Sequence, residues 1–181
     1  MSILDTIKSR RSVRGFQDKE ISQDIIDDLI EALIWAPSAG NLQSRKFYFV
    51  TNQEIKDKLT EAALSQDFIR QAPLVIVGCA DLRIERKYGE RGKNLYSIQD
   101  VALSIQNLML VAKEYGLGTC WVGAFEEDKV RAMGRGATGV RGISLRGEDE
   151  VVDMVVAEDD KTLFTGTENG YGREQRFLIT G

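Results

Sequence analysis

Between Ser22 and Pro37 the apolar residues come in adjacent pairs, Ile25-Ile26, Leu29-Ile30 and Leu33-Ile34, each pair four positions after the last. That spacing keeps one stripe of a 3.6-residue helix apolar and the opposite face polar. It predicts an amphipathic helix opened by Ser22 and closed ahead of Pro37, since the residue before a proline is pushed out of the α region. A longer helical pattern places Ile98, Val101, Ala102, Ile105, Leu108, Met109 and Ala112 on one stripe, with Leu103, Leu110 and Val111 outside it. A helix apolar on more than one side is covered on more than one side. In a chain of 181 residues the second cover is expected from a partner subunit. Gly116-Leu117-Gly118 predicts where this helix stops.

Shorter patterns fill the rest of the first three quarters. Ser2 and Asp5 have the spacing of a capping box, and Leu4 and Ile7 give a short first helix its apolar stripe. Asn52 is placed to cap a helix carrying Ile55, Leu59, Ala62 and Ala63. Residues 47–50 and the unbroken apolar run 73–80 read as buried strands, and residues 119–124 as another. Residues 83–93, polar and mostly basic, are expected to form a solvated surface loop. Strands alternating with helices predict an α/β or α+β sandwich with helices packed on a central sheet.

The pattern changes after Met133. Nine of the 17 glycines lie in residues 134–181, and neither proline does. No sustained helical stripe follows. A hairpin within 145–156, turning around Gly147-Glu148-Asp149-Glu150, and an edge strand at 162–165 are the expected structure there, with the last residues mobile. The chain therefore divides into a core, residues 1–133, and a tail, residues 134–181. An altered reading frame beyond codon 133 is one explanation for so abrupt a change.

Composition narrows the chemistry. A net charge of −4 disfavours a general nucleic-acid binder, and no window has the apolar length of a membrane span. Asp5 interrupts the short apolar start, so no signal peptide is read and the cytoplasm is the expected compartment. Cys79 and Cys120 lie in runs read as buried strands and have no metal-ligand spacing. The chain contains no histidine, which excludes Ser-His-Asp and Cys-His catalysis and any His-ligated zinc. An enzyme of this composition relies on carboxylates or on a cofactor.

Ser9-Arg10-Arg11-Ser12-Val13-Arg14-Gly15, just past the first helix, is the densest chemistry in the sequence. Three guanidinium forks and two hydroxyls suit a phosphate or another planar anion. The same residues also serve as a basic helix end that complements the macrodipole and faces solvent. Pro37-Ser38-Ala39-Gly40-Asn41-Leu42-Gln43 reads as a turn of small and polar residues. G-x-G-x-x-G and G-x-x-x-x-G-K-[ST] are both absent.

Taken in order, Arg10-Arg11-Ser12-Val13-Arg14, Ala36-Pro37-Ser38-Ala39-Gly40-Asn41-x-Gln43 and Gly116-Leu-Gly-Thr-Cys-Trp-Val-Gly123 resemble the nitroreductase family of FMN-dependent oxidoreductases over residues 1 to about 130. The resemblance implies an α+β, three-layer sandwich with a central, mostly antiparallel sheet flanked by helices, assembled as an interlocked homodimer. It implies FMN as cofactor, held by Arg10, Arg11, Ser12 and Arg14 from one protomer and by Pro37, Ser38, Ala39 and Asn41 from the other. Val122 and Gly123 match the segment beside flavin N5. A hydride passes from NADH or NADPH through N5 to a small-molecule acceptor such as a nitroaromatic or quinone, in ping-pong order, with no protein residue as catalytic acid or base and no metal. The alternative is a flavin-binding carrier or redox-responsive protein with little turnover. A third reading is an interaction module whose basic cluster meets a nucleic-acid backbone, although the expected partners are a second copy and a small acceptor, with neither nucleic acid nor membrane. Ser44-Arg45 stands where the family commonly has Pro-Trp, residues 65–70 lack the family's polar or basic counterparts, and the tail after Met133 does not match.

Overall fold

The structure is a computed structural model that describes residues 2–133 throughout and the backbone of residues 149–154, 161–165 and 173–177. The capping box forms as its spacing requires: Ser2 Oγ accepts from the Asp5 amide, and Asp5 accepts from the Ser2 amide. It opens helix α1 (Ile3–Ser9), which is tied to the chain's longest helix through a Thr6 hydroxyl–Glu114 carboxylate bond. Helix α2 (Gln23–Ile34) buries Ile26, Leu29 and Leu33 and ends at Trp35, ahead of Pro37. Helix α3 (Gln53–Ala62) opens where Asn52 Oδ1 accepts from the Ile55 amide at 3.1 Å. The short α4 (Phe68–Gln71) follows.

Strands β1 (Arg45–Val50) and β2 (Val75–Asp81) pair antiparallel, with Phe47 opposite Gly78 and Phe49 opposite Ile76. Every residue of β2 is buried, which is why its sequence is a continuous apolar run and not an alternation. Helix α6 (Ser97–Glu114) lies against β2 and α2, burying Val101, Ile105, Leu108, Met109 and Ala112. Ile98 and Leu103 stay 44% and 45% exposed, so the second apolar side of α6 is open in the single chain. The helix stops as expected: the Leu117 amide bonds back to the Ala112 carbonyl at 2.9 Å and the Gly116 amide to Lys113 at 3.0 Å. Helix α7 (Glu127–Met133) closes the core.

Three expectations are corrected. Residues 83–93 are not an open loop but helix α5 (Glu85–Arg91), followed by a π turn (Gly92–Tyr96) that runs into α6. Its inward stripe is only Ile84, Tyr88 and Gly92, too short and too polar a pattern to stand out. Residues 119–124 form no strand: Thr119 makes a single parallel bridge to Ser12. Cys120 is accordingly half-buried, whereas Cys79 sits fully buried in β2.

In the tail, Asp149 and Glu150 are not the turn of a hairpin. They begin strand β3 (Asp149–Met154), which pairs antiparallel with β2 and gives a three-stranded sheet in the order β1-β2-β3. Residues 145–148, where the hairpin's first arm was expected, and the final four residues lie outside the described residues. The edge strand expected at 162–165 is part of β4 (Lys161–Thr165), which pairs antiparallel with β5 (Arg173–Phe177).

Candidate functional site

The basic segment leaves α1 in an extended conformation and runs beside residues 118–122. The Val13 amide donates to the Thr119 carbonyl at 2.9 Å, next to the Ser12–Thr119 bridge. Gly118 makes this approach possible: a Cβ there would stand 2.9 Å from Val13 Cβ, Cγ1 and Cγ2, closer than real side chains come. Ser12 and Val13 are thereby placed alongside Gly118–Thr119, joining two of the three sequence motifs. The Arg14 guanidinium lies 5.8 Å above the centre of the Phe68 ring, a cation–π distance. Phe68 belongs to the stretch 65–70, where no residue was assigned to the site; its proximity to Arg14 is a contribution that sequence reasoning missed.

The three arginines differ in what they are free to do. Arg11 Nη1 donates to the Lys8 and Arg10 carbonyls at 2.6 and 2.8 Å, so this side chain closes the C-terminus of α1. Arg10 is half-buried, and its Nη1 is buried with no hydrogen-bond partner among the described residues. A desolvated donor on a permanent cation is costly unless something anionic meets it. Arg14 is exposed, as is Gly123, where a Cβ would meet nothing within 4 Å. A guanidinium with one buried nitrogen unpaired among the described residues, a second, exposed cation, a serine and open backbone at Gly123 are donors of the kind that fits a phosphate-bearing planar cofactor.

Beneath this surface an apolar cavity of about 90 Å³ is lined by Phe16, Phe68, Ile69, Leu108, Thr119 and Val122, among others. Ligand pockets usually run to about 300 Å³ or more. A three-ring flavin does not fit inside it.

The motif around Pro37 has different neighbours. Its centre is a 3₁₀ turn (Ala39–Asn41) in which Gly40, Asn41 and then Gln43 all have left-handed φ values, 56°, 53° and 51°. Gly40 is packed against the Tyr88 hydroxyl, leaving no room for a Cβ. Ser38 Oγ accepts from the Gln43 amide at 2.9 Å, and Asp100 Oδ1 accepts from the Ala39 amide at 2.9 Å. Pro37, Gly40 and Asn41 are exposed, while Ser38 and Ala39 are half-buried. Burial raises the Asp100 carboxyl above the usual aspartate range, although the Ala39 amide, the Arg45 guanidinium and the Ser44 amide each pull it down. Burial likewise lowers Arg45, with Asp100 opposing the shift. The structure thus brings Ser12 and Val13 against Gly118–Thr119 and Arg14 over Phe68, and holds the residues 37–41 on a separate framework of α2, α5 and α6.

Among the described residues no group of three His, Cys, Asp or Glu side chains is arranged to hold a metal, and no helix is long and apolar enough to cross a membrane. A helix-flanked antiparallel sheet with a basic loop docked beside a glycine-ended segment defines a nitroreductase-type α+β protein. The family model described as "Nitroreductase family" matches residues 7–66 and 61–135, and the chain belongs to that family. A putative NADH dehydrogenase/NAD(P)H nitroreductase of Methanothermobacter thermautotrophicus is 33% identical over 136 residues, covering 75% of this chain and 68% of that protein. An FMN reductase (NADPH) of Bacillus subtilis is 30% identical over 141 residues, 70% of this chain and 57% of the relative. Among solved structures, that of B. megaterium NfrA2 superposes with a TM-score of 0.74 at 26% identity, covering 85% of this chain and 64% of its own.

The tail has a different likeness. Residues 125–158 match the model "DNA gyrase C-terminal domain, beta-propeller", and a DNA gyrase polypeptide of Klebsiella oxytoca is 62% identical over 47 residues, 26% of this chain but 5% of that protein. The two family matches overlap only at 125–135. This second likeness begins where the sequence pattern changes, near Met133.

Proposed function

We propose that this chain is an NAD(P)H-dependent oxidoreductase that carries FMN at Arg10, Ser12, Arg14, Val122 and Gly123, completed by residues 37–41 of a second copy. Arg10 and Arg14 supply positive charge for the flavin phosphate and the electron-rich pyrimidine edge, and Ser12 supplies a hydroxyl. Arg11 acts mainly through the end of α1. Residues 37–41 meet the flavin from the opposite protomer, which agrees with their separate framework and with the open side of α6. FMN, when bound, supplies the two-electron chemistry, taking hydride from the nicotinamide and passing electrons to a small acceptor such as a nitroaromatic or quinone in a ping-pong order. The chain's residues bind and orient, and no side chain is assigned as acid or base. Residues 1–133 form the flavin-binding unit and 134–181 an added segment.

The observation that carries this reading is the Nη1 of Arg10, buried with no hydrogen-bond partner among the described residues, in a segment docked on Gly118–Thr119. The test is the absorbance spectrum of freshly purified protein, followed by anaerobic addition of NADH or NADPH. A flavin spectrum that bleaches with either nucleotide is expected. Protein that is colourless and takes up no added FMN overturns the reading. Full flavin occupancy with no reduction by either nucleotide instead favours a carrier or redox-responsive role.

A further inference from the structure

Arg45 and Asp100 are two of the most buried charged side chains in the core, 5% and 2% exposed, and neither reaches the exposed face of the loop beside them. Arg45 is the first residue of β1. Its Nη2 donates to the Ile34 and Ala36 carbonyls at 2.9 and 2.7 Å, and its Nη1 to the Pro37 carbonyl at 3.1 Å. One guanidinium therefore gathers the last carbonyl of α2 and two carbonyls of the chain that follows it, where the helix dipole favours a cation. Asp100, in the first turn of α6, takes the Ala39 amide two residues further on, while its Oδ2 stays buried without a hydrogen bond of good geometry.

Burying both charges is expensive, and an apolar pair would serve stability as well or better. The segment they hold contains Asn41 and Gln43, non-glycine residues at left-handed φ that persist only where the surroundings over-determine them. We propose that Arg45 and Asp100 are a pair of positioning residues that lock residues 37–43 into the conformation presented to the ligand: the cation fixes the entry, the anion fixes the centre. This rests on the reading above that the loop meets a flavin. Arg45 belongs to the Ser44-Arg45 dipeptide that directly follows the loop motif.

The test compares Arg45→Met, Asp100→Ala and Asp100→Asn with the unaltered protein by backbone amide exchange of the flavin-free form and by FMN titration followed by flavin fluorescence. In Arg45→Met and Asp100→Ala, exchange across residues 38–43 should rise at least about tenfold with β2 unaffected, and FMN affinity should fall by about tenfold. Asp100→Asn keeps a carbonyl acceptor for the Ala39 amide and should restore most of the protection, a rescue that a merely space-filling role does not predict. Loop exchange and FMN affinity within twofold of the unaltered protein in both folded truncations would overturn the proposal. Should neither truncation fold, the unaltered protein decides: an Ala39 amide exchanging like an unstructured loop overturns the pair, and a protected one supports it. An unaltered protein that binds no FMN removes the flavin reading, while loop exchange still judges the pair by itself.

Discussion

At the scale of single residues, the basic segment shows why three similar arginines are not three equal ligands. Arg10 has a buried nitrogen with no acceptor among the described residues, whereas Arg11 spends its Nη1 on the end of α1. Arg10→Ala is therefore expected to weaken FMN binding by roughly ten- to a hundred-fold, the usual 1.5–3 kcal/mol of a charge-assisted hydrogen bond. Arg11→Ala should change affinity less and show mainly as a small loss of thermal stability. Fluorescence titration of both variants checks the contrast, and equal affinity losses would contradict it. Asp100 carries a pH signature. Its carboxyl binds a proton more readily folded than unfolded, because its pKa is raised by burial. Its contribution to stability is therefore greatest at acid pH, falls as pH climbs from the ordinary aspartate value through the raised one, and is flat above that. Urea unfolding of Asp100→Asn across this window should lack that fall.

At the scale of elements, Gly118 controls the docking of one motif on another. Gly118→Ala places a Cβ against three atoms of Val13. A cost of about 1–3 kcal/mol and a weaker flavin site are expected, with Val13→Ala in the same chain restoring much of both. Calorimetry and FMN titration of the single and double variants test this coupling. Elements with a strong period or a paired cap were legible in the sequence: Ser2–Asp5, the three pairs of α2, Asn52 and the apolar run of β2 all lie where their chemistry puts them. What was illegible had only tertiary causes. Helix α5 shows three inward positions, the strand expected at 119–124 has one bridging residue for a partner, and β3 is defined by pairing with a strand some seventy residues earlier. The arginines and the residues 37–41 were visible as motifs. Phe68 beneath Arg14 and the Arg45–Asp100 support were not, because distant packing, not local pattern, brings them into place.

At the scale of the whole molecule, two questions concern assembly. The exposed Ile98 and Leu103 on α6, and a cavity too small for a flavin, point to a site completed by a second copy. Sedimentation should show a dimer without detectable monomer at working concentrations, since interfaces of this obligate kind commonly bury ~2,000 Å² or more. A monomer binding FMN tightly would sink that expectation. The second question is whether the gyrase-like segment is integral to the core. Val151 pairs with Cys79 in the β2–β3 ladder, and Val151→Pro, with no amide to donate and a fixed φ, is expected to weaken that pairing. A loss of about 2 kcal/mol lowers Tm by roughly 4–8 °C at this chain length. An unchanged transition would place β3 outside the cooperative unit.

That third strand has an implication for ancestry. A strand joins a sheet through main-chain amides and carbonyls, groups every non-proline residue carries, so the β2 rim tests extended shape far more strictly than lineage. A segment resembling one protein family can thus shield the open rim of another, where an unshielded rim invites pairing with other molecules. A segment that joins a sheet in this way need not bring an interface of its own. It finds one in the peptide bond.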